Sequence, residues 1–394
     1  MIAPPTPLAR LVTGLGIAQI ISWGTLFYSI AVLGGAMRAE LAVGEVALFA
    51  SFTAGLFASG LLAPWVGREI DRRGGRVVLV GGSVTGALAM LTLALASHPV
   101  LLYAGWILAG VASTACLYDP AFATLHRITG NRYRHAVTLL TLFGGFASTV
   151  FWPLSQFLLD TVGWRDAYLI YAALHLLVCA PLHWWVVPRT GPIPAASTGT
   201  PASAREAAPV AAPDAFVWLA VALSLFAFIS SALAAHLIEL MAASGLSARD
   251  AVLIGSLIGP MQVAGRIMEF AFGRYLRPLA VGTLSCVLLV VALGVFTQIH
   301  GVWIVALAFA IPYGWSNGVV TIVRGTVPAE LFGTHGYGAL LGRLARPQFI
   351  AKAVAPVALT LLFAVDRDRQ LTPYVLLLLA FGALIAYQRA IRKR

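Results

Sequence analysis

The chain has 394 residues, 60% of them hydrophobic and only 10% charged, with a formal net charge of +11. An ordinary soluble domain carries roughly a quarter charged residues, so a soluble fold is excluded and the bilayer is the solvent. The positive charge would suit nucleic acid in a soluble protein, but here the cations fall in short turns between apolar runs, which removes that partner.

An apolar run of about 20 residues crosses a hydrocarbon core of about 30 Å at 1.5 Å per residue. Six such runs are predicted at 11–33, 46–66, 77–96, 100–120, 137–159 and 165–187. Met1 to Arg10 is short and Pro-rich and the run after it is too long for a signal peptide, so the first span is expected to stay in place. A stretch at 188–214, rich in Pro, Ala, Ser, Thr and Gly, reads as a flexible linker. Six more spans follow at 216–243, 250–272, 279–298, 301–323, 345–365 and 371–388. The expected organisation is therefore a six-helix bundle at 1–187, a linker at 188–214 and a second bundle at 215–394. The fold class is all-α, with twelve transmembrane helices in two pseudo-symmetric halves.

Basic residues are retained on the cytoplasmic side of short loops. With both termini cytoplasmic, nineteen of the 26 basic residues lie on that side and five, Arg38, Arg165, Arg249, Arg367 and Arg369, lie outside. The prediction is a multi-pass inner-membrane protein with that orientation. Arg266 and Lys352 remain, each inside a predicted span. Cys116, Cys179 and Cys286 also fall within apolar runs, without metal-site or disulfide spacing, and read as packing residues.

The turn after the second span reads Gly67-Arg68-Glu69-Ile70-Asp71-Arg72-Arg73-Gly74-Gly75-Arg76. Its glycines permit a tight turn. Asp71 can pair with the basic residues or with a helix N-terminus in one conformational state and release it in another. A weaker echo follows about 205 residues later, where Gly273 precedes Arg274 and Arg277, as an internal repeat of two halves would give. The turn resembles the G-x-x-x-D-R-x-G-x-R/K signature of the major facilitator superfamily, with Glu69 standing where that family usually has an apolar residue. The resemblance covers essentially the whole chain. It implies a secondary transporter in which Gly67, Asp71, Arg72, Gly74 and Arg76 serve conformational gating.

Within that superfamily, Gly265-Arg266 in the eighth span and Lys352 in the eleventh resemble the oxalate/formate antiporter and monocarboxylate transporter group. Two intramembrane cations suit an organic anion, because each costs about 2.5 to 3.5 kcal/mol near the bilayer centre unless a cavity or partner satisfies it. Counted from their span ends, the two share a depth. The competing reading pairs Arg266 with Glu269 at i,i+3, or lets the side chains snorkel to the interface. Gln19, Ser22 and Trp23 share a face of the first span, and Gln19 and Trp23 are candidate substrate contacts beside Arg266 and Lys352. His236 and Glu239, three apart in the seventh span, are candidates for proton coupling, or else interface residues. Asp119, before Pro120, reads as a helix-end partner for Arg127 or a loop cation. Trp152-Pro153 departs from the Gly-Pro of drug antiporters.

The leading expectation is a monomeric transporter of a small solute, an organic anion or monocarboxylate, with protons as the candidate coupling ion. The alternative is proton-coupled efflux of a drug or of a metalloid such as arsenite. No G-x-x-x-x-G-K-[ST] loop is present, and the eight histidines lack H-E-x-x-H spacing. No ATPase, enzyme, cofactor or metal site is therefore expected. A sensor built on a transporter fold stays open, because fold does not fix function.

Overall fold

The computed structural model describes residues 8–190, 213–333 and 336–392. Fifteen α-helices run through them: α1 (Leu8–Trp23), α2 (Ser29–Leu41), α3 (Glu45–Arg73), α4 (Gly75–Ala94), α5 (Pro99–Cys116), α6 (Tyr118–Thr129), α7 (Tyr133–Gly145), α8 (Ala147–Leu174), α9 (Ala180–Val186), α10 (Pro213–Ala243), α11 (Ala248–Phe272), α12 (Pro278–Phe296), α13 (Trp303–Phe332), α14 (Tyr337–Val365) and α15 (Thr372–Arg392). Among the described residues, ten helical stretches are long and apolar enough to cross a membrane. One of them, Pro99–Val186, is 88 residues long. It is broken at Gly130 (φ 50°) and Gly163 (φ 82°) into three, which brings the ten to the twelve expected from sequence.

The chain forms two compact units. Within the described residues, the first takes in 8–190 with 336–346, and the second 213–333 with 347–392. Most of the predicted linker, from 191 to 212, lies outside the described residues. In the first unit α3 and α4 pack on α5, α1 packs on α7, and α4 on α8. Its core holds the fully buried Trp106, Tyr168 and Tyr171. In the second, α11 and α12 pack on α13, and α10 and α12 on α15, around Phe296 and Phe309. Large apolar side chains such as Leu177 and Leu378 are each 70% exposed, as a lipid-facing surface requires.

Several boundaries differ from the sequence reading, among them the ends of the second and tenth spans, which run on to Arg73 and Phe332. The first span continues past residue 33 to Leu41, through a π-helical segment at Gly24–Tyr28 that joins α1 to α2. The fourth breaks early, at Leu117 (ψ −154°), because the Asp119-Pro120 pair starts α6. Proline suits a helix's first turn, where its missing N–H is not needed. The eleventh begins at Tyr337 rather than 345, since Arg343 and Arg346 extend the helix instead of forming a loop. A second π segment, His175–Cys179, joins α8 to α9.

Candidate functional site

The signature turn links α3 to α4 through Gly74, whose backbone (φ 84°, ψ 162°) lies where L side chains are strained. Three residues earlier, the Asp71 carboxylate accepts the backbone N–H of Gly338 at 3.0 Å and of Ala339 at 2.8 Å. These belong to the first turn of α14, whose N–H groups have no partner within the helix. A carboxylate there is also favoured by the helix dipole. Gly67 makes this approach possible: a Cβ on it would collide with the carbonyl oxygen of Gly338. Arg127 of α6 secures the same C-terminal turn of α3, donating Nη1–H to the carbonyls of Ile70 and, at 3.0 Å, of Asp71. Arg76 donates Nε–H to the Val187 carbonyl at 2.5 Å and lies 5.4 Å from the centre of the Trp184 ring. Arg72 is exposed in the last turn of α3. Glu69, the departure from the family pattern, is buried and forms an ion pair with Arg73 one turn on. Tyr337 completes the junction, stacked on His126 at 4.0 Å with its hydroxyl 3.2 Å from that of Tyr133.

The face of α1 singled out from sequence points inward. Gln19 is fully buried, and its Nε2 donates to the carbonyl of Cys116 at 2.7 Å, the last residue before the break at Leu117. Its Oε1 has no hydrogen-bond partner, and neither has the buried Nε1 of Trp23. The Trp23 ring packs on Tyr118, just beyond the same break, at 5.1 Å, and on Phe27 at 5.4 Å. Ser22 sits against the thiols of Cys116 and Cys179, which are weak partners.

One contact escaped the sequence reading. The two π segments of this unit meet where Thr25 Oγ1 lies 2.7 Å from Nε2 of the fully buried His175. The Thr25 hydroxyl donates to the Ile21 carbonyl at 2.8 Å, so it must accept from His175, which fixes the proton on Nε2. π segments concentrate at functional positions in helices. His183 repeats the arrangement one helix further, with Nδ1 2.9 Å from Ser83 Oγ.

In the second unit Arg266 is 5% exposed, and its Nε donates to the Gly318 carbonyl of α13 over a long 3.4 Å. No ion pair to Glu269 or another carboxylate forms at Arg266 among the described residues. Lys352 is half-buried, with Nζ 5.8 Å from the centre of the Phe349 ring, and its carbonyl accepts from Ser231 at 2.8 Å. The two cations are thus held by different partners. At 1.5 Å per residue, Arg266 lies about 9 Å from the end of α11 and Lys352 about 22 Å from the start of α14, a stretch that includes Arg343 and Arg346.

His236 and Glu239 do come together, with Nδ1 3.4 Å from Oε2. The other ring nitrogen faces the Pro356 carbonyl of α14 at 3.1 Å. Two acceptors thus face the two nitrogens, and both are satisfied only when the ring carries two protons. Arg369, beyond the end of α14, pairs with the second oxygen of Glu239.

A sequence model described as the Major Facilitator Superfamily matches residues 12–356. The chain is 39% identical over 121 residues to Monocarboxylate transporter 11 of Mus musculus, covering 30% of this chain and 27% of that one. It is 34% identical over 111 residues to Monocarboxylate transporter 13 of Rattus norvegicus, covering 28% and 26%. The chain thus spans about a quarter of the length of the curated relatives it matches. The human organic anion transporter MFSD10 (TETRAN) superposes with a TM-score of 0.74 at 17% identity, over 97% of this chain and 100% of that one. The transporter FucP in its outward conformation superposes with 0.72 at 13% identity, over 98% of each. At these identities the structural likeness is one of fold.

Proposed function

We propose that this chain, which belongs to the Major Facilitator Superfamily, is a secondary transporter of the inner membrane that moves a small organic anion of the monocarboxylate class by alternating access. A transporter and not an enzyme is what that membership and the monocarboxylate transporter relatives support. Both termini face the cytoplasm in this reading, as the basic loops require, and the protein works as a monomer formed of two six-helix halves at 1–187 and 215–394.

The observation that carries the substrate class is Arg266. A guanidinium has five N–H donors, and this one is 5% exposed with a single long bond to a neutral carbonyl. A cation buried at that depth is expensive unless an anion completes it. A carboxylate accepts two guanidinium bonds in parallel and complements the charge. Lys352 supplies a second positive charge, and Gln19 and Trp23 contact the rest of the solute. His236 and Glu239 supply the proton coupling, since the ring between Pro356 and Glu239 gains a hydrogen bond when it takes a second proton. Gly67, Asp71, Arg72, Gly74 and Arg76 form the gate, which closes when Asp71 caps α14.

Uptake into proteoliposomes, with and without a pH gradient, tests this against the efflux alternative. A monocarboxylate should be taken up, with the rate raised by the gradient. Arg266→Gln and Lys352→Gln should abolish uptake while Lys352→Arg retains most of it, since charge is the property in question. Transport of a drug or arsenite with no carboxylate uptake would defeat the substrate assignment and leave the family standing.

A further inference from the structure

In the first unit, two arginines share one indole. The guanidinium carbon of Arg76 lies 5.4 Å from the centre of the Trp184 ring, and that of Arg189 lies 5.7 Å from the same ring. Elsewhere the chain pairs arginines with carboxylates, as Arg73 with Glu69, Arg165 with Glu40 and Arg369 with Glu239. Among the described residues neither Arg76 nor Arg189 has a carboxylate partner. Arg76 commits its Nε–H to the Val187 carbonyl, which leaves its two Nη groups as donors. It also stands in the first turn of α4, which holds no acidic residue and where the helix dipole disfavours a cation. Two like charges held to one ring repel each other until an anion offsets them.

Beyond Arg76 on α4, Val77, Val84, Leu88 and Leu91 recur at helical spacing, and all four are exposed. They form a bare apolar stripe that runs from the two cations along the span. Trp184 and Trp185 are exposed at the end of the sixth span, and indoles at span ends sit at the level of the lipid headgroups. We infer that Arg76, Arg189 and Trp184 form a binding site for the phosphodiester of an anionic phospholipid, one acyl chain of which lies along the α4 stripe. Guanidinium forks match phosphate oxygens in pairs. A zwitterionic lipid brings an ammonium group with its phosphate, which two guanidiniums repel, and the ring that could hold that ammonium already holds arginine. Phosphatidylglycerol brings no such group. Free phosphate has the charge but leaves the apolar stripe uncovered. The site is independent of the solute proposed above and stands whatever the transporter carries.

The test uses the full chain in a non-ionic detergent at fixed salt, since screening weakens any such attraction. Phosphatidylglycerol and phosphatidylcholine with the same acyl chains are compared by the lipid concentration that gives half the thermal-stability shift, and glycerol phosphate serves as the headgroup without chains. Wild type should favour phosphatidylglycerol by roughly 25-fold, about five-fold for each of two basic residues beside an anionic headgroup. Arg189→Gln should cut that ratio to about five, and Arg76→Gln with Arg189→Gln should bring it near one. Arg189→Gln leaves the signature turn intact, so its effect is separable from the gating role proposed for Arg76, and on an exposed side chain it carries the test if the double variant does not fold. Arg132→Gln, which removes an exposed cation between α6 and α7, should leave the ratio unchanged. Equal affinity for the two lipids in wild type overturns the site, as does an equal loss from Arg132→Gln and Arg189→Gln, which would mean diffuse attraction alone. Stabilisation by glycerol phosphate at the concentration where phosphatidylglycerol acts would overturn the lipid as its ligand.

Discussion

Asp71→Asn probes the contact between α3 and the first turn of α14. The carboxylate gives one oxygen to each of two amides, at 3.0 and 2.8 Å. Asparagine has a single carbonyl oxygen, so one N–H loses its acceptor, at about 1 to 3 kcal/mol, and the charge that favours the helix N-terminus is lost, at about 0.3 to 1 kcal/mol. A combined destabilisation of about 2 to 3 kcal/mol raises the population of the undocked turn roughly 30- to 150-fold, at about 1.4 kcal/mol per factor of ten. Hydrogen exchange measured on a peptide covering 336–346 should show Gly338 and Ala339 exchanging faster by that factor, while the amides of α12 stay protected. Transport should slow in parallel, because the substitution favours one conformational state over another. Unchanged exchange at both amides in a folded variant would refute the capping energetics, and unchanged transport despite faster exchange would remove the gating role.

Reporters fused after Arg76, Arg134, Ala202 and Arg394 should all report cytoplasm, since nineteen basic residues are retained there; an outside signal at Ala202 would break the orientation. His175→Ala should lower stability by about 2 to 4 kcal/mol, because it empties a buried site and strips Thr25 of its donor, whereas Thr25→Val should cost about 1 kcal/mol, both read as shifts in thermal unfolding. Burial works to raise the pKa of Asp366, but the hydroxyl of Thr372 and the N–H groups of Leu371 and Thr372 outweigh it and hold the carboxyl below its ordinary value. A depressed carboxyl stabilises the folded state fully above its unfolded pKa of about 4 and loses that contribution as pH falls through the folded value. The stability gap between wild type and Asp366→Asn should therefore be widest near neutrality and close in acid, and a gap independent of pH would count against this cap.

Much of the architecture was legible in the sequence because the bilayer imposes a length. The spans expected at 250–272 and 279–298 appear as Ala248–Phe272 and Pro278–Phe296. Hydropathy fails where a helix runs on into polar surroundings. Arg343 and Arg346 looked like a loop, yet they continue a helix whose start is stabilised by Asp71, 267 residues away in sequence, and no local pattern carries that information. The break at Leu117 did have a signal, the Asp119-Pro120 pair that suits a helix's first turn. His175 had none: a lone histidine in an apolar run does not disclose that a threonine hydroxyl 150 residues away will fix its tautomer. Arg266 was visible as an oddity, whereas its separation from Glu269 depended on the packing of α11 on α13.

The π segments at Gly24–Tyr28 and His175–Cys179 have a consequence for comparing this chain with others. Such a segment is in effect an α-helix with one residue added. At 3.6 residues per turn, one residue rotates everything beyond it by about 100°. A related chain that lacks the bulge would therefore align only with a one-residue gap inside a membrane span, where gaps are ordinarily forbidden. An ungapped alignment would match Ser29, which faces Tyr168 here, to a residue on a different face. Transfer of residue roles along the first and sixth spans needs that gap placed first, and single-residue deletions at Phe27 and Leu177, made separately and together, would show whether the two bulges were acquired as a pair.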